Sequence, residues 1–106
     1  MCGRFTLTAD LKELADRFST PAPTADYNPR FNIAPTQQVI VVTDDGQREI
    51  KWMKWGLIPS WAKDPNIGNK MINARAETIA EKPSFKNALK KRRCLIPACG
   101  FYEWQK

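Results

Sequence analysis

Residue two of this chain is a cysteine, and that placement is chemically special. Initiator methionine is usually removed when the next side chain is small, so loss of Met1 would leave Cys2 with a free α-amine beside its thiol. The pair is a 1,2-aminothiol. Amines and thiols carry a nucleophilic fraction near neutral pH. Both can attack one aldehyde, the amine forming a Schiff base and the sulfur closing it to a five-membered thiazolidine. From position alone the competing reading, a small apolar residue buried at a chain start, stands beside this one.

A second group is the run Asn73-Ala74-Arg75-Ala76-Glu77, in which alternate side chains share a face if the backbone is extended. Arg75 supplies a planar fork for phosphate, Asn73 an amide that can orient an amine or hydroxyl, and Glu77 a carboxylate to fix the arginine. An ordinary surface ion pair on a strand edge fits the same spacing. Glu103, between Tyr102 and Trp104, is either a carboxylate able to move protons or a solvated residue on an alternating strand.

Charge is unevenly spread. The chain carries a net +6, yet residues 1–81 hold ten charges of each sign, while residues 82–106 hold seven basic residues and the single carboxylate of Glu103. The excess is a block of Lys82, Lys86, Lys90, Lys91, Arg92 and Arg93 near Phe85. With Trp55 and Trp61 on a separate segment, these are the ingredients of a single-strand surface: cations for phosphates and flat rings for bases. A solvated helix end favoured by the helix dipole uses the same lysines. Cys94 and Cys99 have poor zinc spacing and no histidine accompanies them, so they read as buried thiols and no metal site is expected.

The elements that must position these groups follow from pattern. Thr8 can cap a helix whose Leu11, Leu14, Ala15 and Phe18 share one face. Four prolines between residues 20 and 35 argue for an extended loop without regular structure. Gln38 to Thr43 is β-branched, Asp44-Asp45-Gly46 is turn chemistry, and Arg48 to Trp55 resumes with apolar residues, which predicts an antiparallel hairpin. Residues 56–69 read as an irregular stretch that carries Trp55, Pro59 and Trp61, with its aromatics exposed. Met71 to Asn73 is expected as a short strand, Ala76 to Ala80 as a helical turn, and Ser84 as the start of a helix burying Phe85, Ala88 and Leu89. Cys94 to Ala98 and Phe101 to Trp104 read as strand segments. The sum is an α+β domain with mostly antiparallel strands.

Composition excludes several classes. No apolar run approaches twenty residues, so no membrane span is expected, and the absence of a basic start leading into an apolar stretch argues against a secretory leader. Three cysteines without regular spacing do not make a secreted disulfide scaffold, and zero histidines remove the commonest general base and metal ligand. The expected address is cytoplasmic.

Six motifs occur in order: Met1-Cys2-Gly3-Arg4-Phe5, Phe31-Asn32-Ile33-Ala34-Pro35-Thr36, Trp55-Gly56-Leu57-Ile58-Pro59-Ser60-Trp61, Asn73-Ala74-Arg75-Ala76-Glu77-Thr78, Lys82-Pro83-Ser84-Phe85 and Gly100-Phe101-Tyr102-Glu103-Trp104. With them the chain resembles the SOS response-associated peptidase (SRAP) family. The resemblance implies a pseudo-barrel of antiparallel strands with peripheral helices, of which residues 1–106 form the N-terminal part. It implies a sensor of abasic sites in single-stranded DNA that traps the ring-opened sugar as a thiazolidine crosslink and so shields the lesion. Cys2 would be the nucleophile after self-processing removes Met1. Asn73 would hold the amine or a sugar oxygen, and Glu103 would shuttle protons. Arg4, Arg75 and the Lys82-Pro83-Ser84-Phe85 turn would contact the DNA backbone, with Trp61 as the wedge where stacking is interrupted. No cofactor, metal or membrane is implied, and the protein would act as a monomer, associated with the nucleoid when bound to damaged DNA. Family members are longer and carry a catalytic histidine in the part that follows, whereas these residues contain none, which predicts slower trapping. Two other functions fit the residues: a non-covalent single-strand binding module, indifferent to Cys2, and a self-processing cysteine peptidase, for which the usual histidine base is missing.

Overall fold

In a computed structural model the described residues are 2–21, 23 and 27–103. They form an antiparallel α+β structure. The first strand, β1 (Arg4–Leu7), alternates Arg4 and Thr6 with Phe5 and Leu7, and buries the latter pair. It lies at the centre of a three-stranded sheet, flanked by β2 (Arg30–Ile33) and β5 (Gly100–Tyr102). Phe5 sits opposite Ile33 on one side and Phe101 on the other, with an irregularity in the β2 pairing between Phe5 and Leu7.

The expected hairpin is present: β3 (Gln38–Asp44) pairs with β4 (Arg48–Lys54) from Gln38–Lys54 to Asp44–Arg48. Gly46 takes a positive φ of 95° at the turn, and the Asp44 carboxylate accepts from its N–H at 3.1 Å. Val39 to Val42 are all buried, so β3 is covered on both faces, as its unbroken β-branched run requires. A single bridge between Val42 and Leu95, with both backbone bonds made, ties the hairpin to the segment that leads into β5.

The helix α1 (Leu11–Phe18) buries Leu11, Leu14 and Ala15. Its cap is Asp10 rather than the expected Thr8: the Asp10 carboxylate accepts from the Glu13 N–H at 2.7 Å, placing a negative charge on the positive end of the helix. Replacing Asp10 by alanine is therefore expected to lower stability by about 1 kcal/mol, read as a lower denaturation midpoint at unchanged slope. Thr8→Ala should leave the helix cap intact.

The second helix, α2 (Pro83–Lys91), starts one residue earlier than expected, with Pro83 in its first turn and Lys82 at the cap position. Phe85, Ala88 and Leu89 are half-buried, and no residue of α2 is fully buried.

Three other expectations need correction. The proline-rich stretch contains β2, because all four prolines lie outside residues 30–33 and leave their N–H groups available for pairing. Met71 to Asn73 is not a strand; only Met71 meets a neighbouring backbone, accepting from Leu57 N–H and donating to Gly68 O. Between Cys94 and Ala98 only Leu95 pairs, and the last strand ends at Tyr102; Trp104 lies outside the described residues.

The core joins Phe5, Leu7, Leu11, Leu14, Ile33, Val39, Ile40, Val41 and Trp55, with Cys2 packed against its edge. Each fully buried aliphatic side chain contributes roughly 1.5–3 kcal/mol, so Phe5 and Leu7 anchor β1 in the core. Cys2 lies two residues before that strand. Among the described residues no helix is long and apolar enough to cross a membrane.

Candidate functional site

The backbone before β1 sets Cys2 at the edge of a cleft of about 510 Å³, whose walls include Phe5, Trp55, Ile72, Ile96 and Phe101. The polar groups of its lining are Cys2, Asn73 and Glu103, which the sequence separates by up to a hundred residues. All three residues assigned by resemblance to the chemistry therefore face one space. The Asn73 amide donates to the backbone carbonyl of Cys2 at 2.9 Å, holding the Cys2 main chain at its carbonyl rather than at its nitrogen. The Cys2 thiol donates weakly to the Arg4 carbonyl at 3.7 Å. The cleft is mostly apolar with few convergent polar groups, the usual make-up of a reactive site.

The segment bearing Asn73 has no regular structure and is held by its neighbours. The Trp55 indole donates to Ile72 O at 3.1 Å, and the Leu57 N–H donates to Met71 O at 2.9 Å. Trp55 is 9% exposed, so the expectation that it belongs to an exposed aromatic loop is wrong; its ring packs edge-on against Phe5, with centroids 5.3 Å apart. Trp61, in contrast, is 59% exposed, on a turn closed by Ala62 N–H to Pro59 O.

Asn73, Arg75 and Glu77 do not share one face of a strand. The Arg75 carbonyl accepts from both Thr78 and Ile79 N–H groups, so a helical turn begins there and carries Glu77 around it. Among the described residues Arg75 and Glu77 form no ion pair.

None of Arg4, Arg75, Trp61, Lys82, Ser84 and Phe85 lines the cleft. Arg4, exposed on β1, donates from Nη1 to the Asn32 carboxamide at 3.0 Å, which joins two of the recognised motifs. Lys82 is exposed, and Ser84 and Phe85 are half-buried on the first turn of α2. Lys86 lies one turn further along α2, Lys90 and Lys91 sit in its last turn, and Arg92 and Arg93 follow it, with Arg93 lining a second cleft of about 490 Å³ beside Leu95 and Arg48.

Sequence reasoning missed a clamp on the loop after β2. Arg30 donates to Gln38 O at 2.6 Å and to the Gln37 side-chain oxygen at 2.8 Å, and that oxygen also accepts from Ala34 N–H. The clamp holds Thr36 at a φ of 75°, with its N–H on Trp55 O at 3.0 Å. The only hint in the sequence is the closeness of Arg30 and Gln37 across the motif that ends at Thr36.

Cys94 and Cys99 are exposed rather than buried. The Thr8 hydroxyl, and then the backbone N–H groups of Thr8 and Ala9, hold the Cys99 thiol below its ordinary value, whereas partial burial pushes Cys94 up. At pH 7 Cys99 thus carries more thiolate, and iodoacetamide is expected to modify it faster than Cys94. The gap should close as pH rises through both thiol ranges, where the more basic thiolate becomes the better nucleophile. Peptide mass mapping against time reads both rates. Among the described residues no group of three or more His, Cys, Asp or Glu is placed to hold a metal ion.

The family model for SOS response associated peptidase (SRAP) matches residues 1–106, and the chain belongs to that family. It is 48% identical over 109 residues to the abasic site processing protein YoqW of Bacillus subtilis, covering 100% of this chain and 49% of that one. It is 42% identical over 93 residues to the abasic site processing protein HMCES of Mus musculus, covering 76% of this chain and 26% of that one. A solved structure from Bacteroides thetaiotaomicron superposes with a TM-score of 0.82 at 27% identity, over 99% of this chain and 49% of that chain. The chain thus spans about half the length of the bacterial relatives it matches.

Proposed function

We propose that this chain acts on abasic sites in single-stranded DNA, and that Cys2, freed of Met1, traps the lesion covalently. The observation that carries the reading is the meeting of Cys2, Asn73 and Glu103 in one cleft, with the Asn73 amide on the Cys2 carbonyl. The relatives YoqW and HMCES are abasic site processing proteins, which supports the substrate.

The chemistry balances without an oxidant or reductant. The Cys2 amine adds to the carbonyl carbon of the ring-opened sugar, and the oxygen leaves as water to give an imine. Glu103 takes and returns the protons of that step. The sulfur then adds to the imine carbon while its proton passes to nitrogen, closing the thiazolidine. Asn73, by holding the Cys2 main chain, keeps amine and sulfur on the same side of the incoming carbon. Arg4, Arg75 and the positive turn at Lys82, with Ser84 and Phe85, supply phosphate affinity, and Trp61 offers a stacking surface; the aldehyde supplies the specificity. Removal of Met1 is self-processing assisted by Glu103 in this reading, and the protein works as a monomer in the cytoplasm, on the nucleoid and within the SOS response.

The test is incubation of Met1-free chain with a uracil-excised single-stranded oligonucleotide, followed by heating and denaturing electrophoresis. A shifted band confined to the abasic strand is expected. Salt-sensitive binding that ignores the lesion and yields no heat-stable band would replace this reading with that of a non-covalent binding module.

A further inference from the structure

We infer that Trp55 is a positioning residue for the Cys2 site: one buried side chain ties the strand that follows Cys2 to the segment that carries Asn73. The inference rests on the covalent reading above.

Two contacts of the indole make the link. Its ring packs at a steep angle on Phe5, three residues along from Cys2, at a centroid distance of 5.3 Å and an interplanar angle of 62°. Its Nε1–H donates to the carbonyl of Ile72, the residue next to Asn73, at 3.1 Å. The Trp55 main chain is itself fixed, because Trp55 N–H donates to Gln37 O and Trp55 O accepts from Thr36 N–H, both at 3.0 Å.

Asn73 needs such support. Met71 to Arg75 has no ladder or helix of its own, so its place depends on single bonds to neighbours. The Leu57-to-Met71 bond holds the segment two residues before Asn73, and the Asn73 amide reaches Cys2 O at 2.9 Å. Between them the adjoining peptide is held by the indole bond and by the packing of the Ile72 side chain on the core. Without the indole bond Ile72 O loses its partner in a half-buried place, and the peptide turns to find another. Asn73 would then move relative to Cys2 while the cleft walls stay.

The deciding experiment uses the full chain with Met1 removed and compares Trp55→Phe with wild type. A benzothienylalanine installed at position 55 keeps the indole shape and removes only the N–H, which covers the case in which Trp55→Phe folds poorly. Adduct formation is followed in single turnover against abasic single-stranded DNA over a range of concentrations. The maximal rate is expected to fall about tenfold or more with an unchanged half-saturating concentration. In an Asn73→Ala background the same change at position 55 should slow the reaction no further.

An unchanged maximal rate, or an equal slowing in the Asn73→Ala background, overturns the inference. If wild type forms no adduct, the covalent reading has failed instead. The side-chain amide resonances of Asn73 then decide on positioning without DNA, since they must shift in the benzothienyl variant, and unshifted resonances overturn it.

Discussion

Cys2→Ala in the Met1-free chain is expected to abolish the heat-stable adduct with abasic single-stranded DNA, while leaving a residual imine that borohydride can fix. The two outcomes separate because alanine keeps the α-amine and loses only the sulfur. The amine can still condense with the sugar aldehyde, but an imine hydrolyses readily, and nothing closes the ring that resists heating. Cys2→Ser makes the argument sharper. A hydroxyl is far less nucleophilic than a thiol near neutral pH, so the serine variant should resemble alanine. Acetylating the α-amine should remove both products at once. Affinity for undamaged single strands should be unaffected by either substitution, because the basic residues from Lys82 to Arg93 lie on α2 and the segment that follows it, and none of them lines the cleft. A heat-stable band of undiminished yield from Cys2→Ala would end the covalent proposal.

Gly56→Ala is the substitution expected to damage the fold most. Gly56 has a φ of 135°, in the region that L side chains avoid, and an added Cβ would lie inside contact distance of the Gly68 carbonyl oxygen. That neighbour is backbone, so it cannot swing aside as a side chain would. Strain and overpacking each contribute on the order of 1–3 kcal/mol, and together about 2–6 kcal/mol is the expected loss. For a chain of this size each kcal/mol lowers the melting temperature by roughly 4–8 °C, which thermal denaturation will resolve. Gly68→Ala is the internal control. Its Cβ would approach Ile58 Cγ1 at 2.9 Å, the side chain of an exposed residue that can rotate away, so a markedly smaller loss is expected. Equal losses at the two positions would mean that the tight backbone approach is not what matters.

Much of this arrangement was legible in the residues. The hairpin could be read because a β-branched run before Asp44-Asp45-Gly46 and an apolar and aromatic run after it leave the chain little else to do. The face of α1 followed from Leu11, Leu14 and Ala15. The cap did not, since Thr8 and Asp10 are both good capping residues and only the path of the chain decides between them. The strand Arg30–Ile33 was hidden by the prolines around it, whose punctuation is local while strand pairing is decided by a distant partner. Trp55 was misread for a related reason: a tryptophan beside glycine and proline looks like loop, and its burial depends on Phe5, fifty residues away. Cys94 and Cys99 were expected inside because thiols usually are, but the segment between them pairs only at Leu95. Cys2, Asn73 and Glu103 were each singled out by side-chain chemistry, and the ordered motifs added the roles they would share. No spacing rule brings them together: the Asn73 amide and the Trp55 indole hold Asn73 beside Cys2, and the sheet brings Glu103 there by placing β1 opposite β5.

That placement also orders events in time. Because β1 lies between β2 and β5, the earliest-synthesised strand receives its second neighbour only when residues 100–102 have left the ribosome. During translation Cys2 therefore waits beside a half-built wall, and long-range pairing of this kind is slow compared with local hairpin closure. A nascent chain stalled before residue 100 would hold Cys2 with neither Phe101 nor Glu103 beside it, so the cleft is complete only once residue 103 has emerged.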